Sequence, residues 1–121
     1  MKRFVLIIIS CIFFVALNSW YINTQNTKGN NNKQGKAIYK NKCQFCHGIM
    51  GDGNGPAAES LLEHPEDFTD SAFWTDDVPK KIDETIRKGK QMMPIIDLGP
   101  EDIKAVTLYI SDTFKNATQH K

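Results

Sequence analysis

The chain has 121 residues, the size of a single domain. Its formal net charge of +1 excludes a nucleic-acid binder, which needs a strongly basic face. Its three cysteines, Cys11 and the close pair Cys43 and Cys46, exclude a disulfide framework.

Lys2 and Arg3 precede an apolar run from Phe4 to Ile22, interrupted by Ser10, Asn18 and Ser19. As a helix this run would span about 28 Å, close to the ~30 Å hydrocarbon core of a bilayer. Trp20 and Tyr21 stand where an aromatic belt would lie, and the basic pair would stay on the cytoplasmic side. Three readings compete for residues 1–22. An uncleaved single-pass anchor through residues 4–22 leads. A cleaved signal peptide has the right length, but Ala16-Leu17-Asn18-Ser19 makes a poor cleavage site. A lipoprotein joined at Cys11 would begin its mature chain on an oddly apolar stretch. All three place Cys43 and Cys46 outside the cytoplasm.

Residues 23–32 hold no apolar side chain, cannot offset the entropy of ordering, and read as a flexible polar linker. The domain is expected over 33–116, with a tail at 117–121. Its first helix, Lys33 to Lys42, should end just before the cysteine pair. Gly48 to Gly55 is a loop, and Pro56 should open a short helix through Leu62. Glu63 to Asp77 reads as a long loop wrapped on something. Asp77 should cap a helix with Val78, Ile82 and Ile86 on one face and Gly89 at its end. Pro100, Glu101 and Asp102 open a last helix that buries Ile103, Val106, Ile110 and Phe114. No stretch alternates as a strand, so the class is all-α.

Cys43-Gln44-Phe45-Cys46-His47 is the C-x-x-C-H pattern of covalent haem attachment. Each thiol forms a thioether with one vinyl group, two intervening residues span the two vinyls, and His47 is held as an iron ligand. Such attachment occurs outside the cytoplasm in bacteria, where the N-terminal segment independently places the pair. A thioredoxin-type redox pair would need a βαβ pattern, which is absent. A zinc site would need a second ligand pair, and His64 and His120 stand alone. For the second axial position Met93 leads, because Pro94 restricts the residue before it; Met92 is the runner-up. His64 is an outside candidate. Core packing is the ordinary alternative for both methionines.

With these motifs the chain resembles a class I monohaem c-type cytochrome, bacterial and membrane-anchored, from Gly35 to Phe114. Gly35 and Tyr39, the haem motif with Gly48, the loop Gly51 to Ala58, Met93-Pro94, and Val106, Tyr109 and Ile110 carry the likeness. The resemblance implies a cytochrome c fold of several helices around one covalent haem c. It implies that the Pro56 carbonyl accepts a hydrogen bond from the proximal His47, and that Gly35 and Tyr39 pack against Val106 and Tyr109. It also implies one-electron transfer with no catalytic residue and no small-molecule substrate.

Charge is segregated along the chain. Lys33, Lys36, Lys40 and Lys42 crowd the first helix, and Lys80, Lys81, Arg87, Lys88 and Lys90 cluster around the third. Residues 52–77 hold eight acids and no Lys or Arg. Either this is an ordinary solvated surface, or the basic groups steer the haem edge to a redox protein that is acidic at its docking face. The functions compatible with these features are a tethered carrier between membrane or periplasmic redox partners and a haem subunit of a larger oxidase, reductase or dehydrogenase. A haem sensor or enzyme with an open sixth position is a third. The localisation they imply is the cytoplasmic membrane, haem domain outward.

Overall fold

The computed structural model describes the backbone of residues 2–115 and 117; the side chains of residues 1–10, 19, 20 and 22–28 lie outside that description. The side chains of 4–10, 19, 20 and 22 in the anchor expected at residues 4–22 therefore fall outside it, as does most of the tail expected at 117–121. Among the described residues no helix is long and apolar enough to cross a membrane.

Two compact units divide the chain, Met1–Asn30 and Asn31–Lys121. Helix α1 is assigned from Lys2 to Ile38. Residues 23–32, expected as an irregular linker, are thus helical. No proline interrupts them, and a helix nucleated on neighbouring residues propagates by gaining one hydrogen bond per residue fixed.

In the second unit the helix does not stop before the cysteine pair either. A π-helical turn, Tyr39–Cys43, leads directly into α2, Gln44–His47. The expected break fails because no glycine or proline occurs between Lys36 and His47; the first is Gly48, at φ 79°. The segment opened by Pro56 is shorter than expected. It is a turn at Pro56 and Ala57 followed by one 3-10 turn, Ala58–Ser60.

Helix α3, Val78–Lys88, buries Val78, Ile82 and Ile86, each contributing about 1.5–3 kcal/mol by leaving water. Asp77 occupies its N-cap position but its carboxylate does not cap the backbone. That group is taken instead by the Thr75 hydroxyl and by Lys81 Nζ at 2.6 Å. Gly89 ends the helix at φ 71°. Helix α4, Pro100–Ile110, buries Ile103, Val106 and Ile110, and a π-helical turn, Ser111–Lys115, carries Phe114 into the same core. The end of α1 crosses α4 closely: Gly35 lies against the Ala105 carbonyl and Tyr109 Cβ, and Gln34 Nε2 donates to Asp102 Oδ1 at 2.5 Å. Tyr39 packs on Tyr109 and Phe114, with centroids 5.6 Å and 5.4 Å away, and Val106 is 0% exposed. Among the described residues there is no strand, only one antiparallel bridge between Lys90 and Met93, so the chain is all-α.

Candidate functional site

The one-turn helix α2 is the foundation of the site. A short helix leaves its last carbonyls without partners. Here the glycine-rich loop that follows supplies a donor for each. Gly48 N–H donates to the Gln44 carbonyl at 2.9 Å, Ala57 to Phe45, Gly55 to Cys46 and Gly53 to His47, the last three at 3.0 Å. Gly55 has to be glycine, because a Cβ there would lie 2.6 Å from the Cys46 carbonyl carbon and closer still to two carbonyl oxygens. The loop is therefore a clamp on the turn that bears Cys46 and His47. The Tyr39 hydroxyl adds a bond at 2.8 Å to the Gly48 carbonyl. Burial pushes the Tyr39 phenol well above its ordinary range, so it stays a donor.

Cys43, Cys46 and His47 line a cleft of about 270 Å³. The same cleft is lined by Met92 and Met93, by the core residues Phe68, Ile82, Ile86 and Ile110, and by Lys42, Lys81 and Lys90. His64 also lines it, from an exposed loop position. The two methionines differ. Met93 packs partly buried against the core, while Met92 is 45% exposed. A tight turn makes the difference. Lys90 and Met93 exchange backbone hydrogen bonds at 3.0 Å and 2.8 Å, and Gln91 takes φ 51° between them. The turn is also joined to the loop before α3, through Lys90 Nζ and Glu66 Oε1 at 3.2 Å.

The titratable groups are set for neutral chemistry. Cys43 and Cys46 form no disulfide with each other. Burial, with Cys46 adding to it, pushes the Cys43 thiol up to about 11. A thiol held protonated is a poor redox nucleophile, which counts against the thioredoxin-type alternative. Among the described residues no three His, Cys, Asp or Glu gather as a metal-binding set, and His120 lies outside those residues. Burial holds His47 below its ordinary range, and the Glu66 carbonyl and carboxylate pull it part of the way back. At neutral pH the imidazole is therefore uncharged, the form that binds a metal.

The Pro56 carbonyl does not make the expected bond to His47. Pro56 is exposed at a turn, and the backbone acceptor that acts on His47 is the Glu66 carbonyl. What meets the imidazole comes from elsewhere: the Phe68 ring stacks on it, 4.9 Å between centroids and 11° between planes. Glu66 and Phe68 lay outside the sequence-derived site. The signal available was the run of Phe68, Phe73 and Trp74 in an otherwise polar stretch, too apolar for a loop with nothing to cover.

The donor set fits a c-type haem. Two thiols and an imidazole come from a single turn, and thioethers share their cleft. Residues 30–110 match the model of the family described as cytochrome c oxidase, cbb3-type, subunit III. No curated protein and no solved structure matches the chain.

Proposed function

The chain belongs to the family of cytochrome c oxidase, cbb3-type, subunit III, and we propose from that premise that it is a haem-bearing electron carrier on the outer side of the cytoplasmic membrane. Membership in the family implies a covalently bound c-type haem with iron and electron transfer through it. In the finer reading Cys43 and Cys46 would hold the haem through two thioethers, and His47 and Met93 would bind its iron. The observation that carries it is the meeting of the C-x-x-C-H turn and the Met93 loop on one cleft.

The haem supplies a one-electron iron couple. The protein's own residues do the rest. The glycine-rich clamp fixes the turn that carries Cys46 and His47. The apolar wall of Ile82, Ile86 and Ile110 excludes water from the cleft. Met93, held by the Lys90 turn and followed by Pro94, offers a thioether of restricted position. A histidine–methionine pair would close the iron to substrates and raise its potential. His64 is the less favoured ligand, since it sits on an exposed loop without a bracing turn.

In this reading residues 4–22 anchor the chain and residues 23–32 tether domain 33–116. Its partners are redox proteins. A second reading is favoured by the family's own description: the chain is a fixed haem subunit of an oxidase complex rather than a mobile carrier. Detergent extraction separates the two, since a subunit copurifies with its complex. The primary experiment is the absorption spectrum of protein matured in a haem-attaching host, oxidised and then reduced. Covalent low-spin haem with the weak far-red sulfur–iron band of the ferric state supports the carrier. Haem without that band removes Met93 and raises the open-site sensor or enzyme. Absence of haem ends the proposal.

A further inference from the structure

We propose that Gln91 is a positioning residue: its left-handed backbone forms the turn that presents Met93, rather than Met92, to the cleft. The inference rests on the reading of Met93 as an iron ligand and deepens it. Two adjacent methionines carry the same thioether, so side-chain chemistry gives no reason to prefer either. The backbone around them does. Lys90 N–H donates to the Met93 carbonyl at 3.0 Å, and Met93 N–H donates to the Lys90 carbonyl at 2.8 Å. Gln91 and Met92 form the whole corner between them. A corner of this kind fixes which residue occupies it and which flanks it. Here Met92 occupies it, 45% exposed, and Met93 flanks it, packed on the core. A slip of one residue would exchange their places.

Gln91 makes that corner under strain. It sits at φ 51°, and among the described residues no other non-glycine residue has a positive φ. Positive φ at the first corner residue alone is the pattern of a II′ turn, whose first position is ordinarily glycine. An L side chain there crowds the carbonyl that follows it. Such strain persists only where the surroundings fix the chain on both sides. They do here. Gly89 N–H is bonded to the Thr85 carbonyl at 2.8 Å and Ile96 N–H to the Ile86 carbonyl at 3.2 Å, both on α3. An added Cβ at Gly89 would lie 2.9 Å from the Met93 carbonyl oxygen, so the returning chain lies hard against the helix end. Residues 90–95 must reverse between these anchors. The Lys90–Glu66 ion pair cannot set the register, because both side chains are more than half exposed. Pro94 restricts Met93 but does not close the turn. The register is therefore set at Gln91.

The test uses the holoprotein and compares wild type, Gln91→Gly, Gln91→Pro and the core control Ile103→Ala. Two readouts are taken beside urea stability. One is the intensity and thermal fading of the far-red sulfur–iron band in the ferric protein; the other is deuterium exchange of the Met93 amide in the reduced protein. Glycine takes positive φ without strain. Gln91→Gly should keep the band, make it fade at a higher temperature, and slow Met93 exchange by roughly twofold to fivefold. Proline is locked near φ of about −65° and cannot make the corner, so Gln91→Pro should lose most of the band and the protection of the Met93 amide. A residual band in Gln91→Pro that Met92→Ala removes would show the register slipped to Met92, as the proposal requires. Ile103→Ala should lower the urea midpoint and leave the band's intensity unmoved. A Gln91→Pro band of wild-type intensity, still removed by Met93→Ala, overturns the proposal. Should Gln91→Pro not retain haem, Gln91→Gly decides: unchanged fading and unchanged Met93 exchange overturn it equally. If wild type itself shows no sulfur–iron band, the underlying reading of Met93 fails, and the proposal with it.

Discussion

At Gly35 an added Cβ would overlap the Ala105 carbonyl oxygen and lie 2.6 Å from Tyr109 Cβ. Backbone cannot step aside as a side-chain tip can, so α1 and α4 would have to separate. Gly35→Ala should cost about 1–3 kcal/mol, read as a lower urea midpoint. Gly29→Ala is the control: nothing lies within 4 Å of its added Cβ, and it should lose no stability. The paired methionines give a second residue-scale prediction. Met93→Ala should abolish the far-red sulfur–iron band of the ferric protein and Met92→Ala should keep it, because only Met93 packs on the core. The reverse result would make Met92 the ligand. That Cys43, Cys46 and His47 face one cleft was legible because their spacing puts them on a single turn. The neighbours of His47 were not. Glu66 and Phe68 reach it from a loop with no period, and only three-dimensional packing makes them adjacent.

Helix faces were legible where burial imposes a period, and helix ends were not. Val78, Ile82 and Ile86 on α3, and Ile103, Val106, Ile110 and Phe114 beyond α4's start, bury together as their spacing implies. The end expected before Cys43 was misplaced because α1 passes through a π-helical turn, which adds a residue without a glycine or proline to announce it. The helix expected after Pro56 shrank because Gly55 and Ala57 give their N–H groups to α2. Asp77 likewise serves as an ion-pair acceptor rather than a backbone cap. Lys81 first, and the Thr75 hydroxyl second, hold its carboxyl down to about 2. A depressed carboxylate contributes stability that is present above its unfolded value of 3.8 and lost as pH falls through about 2. The α3 start should therefore stay anchored at pH 4 and loosen only in stronger acid. A carboxyl titration by nuclear magnetic resonance checks this: the Asp77 midpoint should rise toward 3.8 in Lys81→Gln. An unmoved midpoint would assign the depression to Thr75.

Over the whole molecule, the segregated charges read from the sequence are partly cancelled once folded. Three lysines line the cleft, but Lys81 is paired with Asp77 at 2.6 Å and Lys90 with Glu66 at 3.2 Å. Asp77 and Glu66 thus supply partners for Lys81 and Lys90, while Asp83 and Glu84 on α3 itself pair with Arg87 and Lys88. Lys42 is the cleft lysine without an ion pair among the described residues. Steering of an acidic redox partner should therefore be weaker than a count of lysines suggests and should centre on Lys42. Exposed pairs such as these are worth about 0–1 kcal/mol, so they cancel field without locking the surface. The bimolecular rate of electron exchange with an acidic partner should fall as salt rises and the Debye length shrinks from ~30 Å at 0.01 M to ~10 Å at 0.1 M. Lys42→Glu should slow that rate at low salt on the order of threefold, and the difference from wild type should vanish at high salt. Stopped-flow mixing over that range of ionic strength measures both. A wild-type rate that stays flat across it would remove electrostatic steering and leave the cleft's basic rim as ordinary solvated surface.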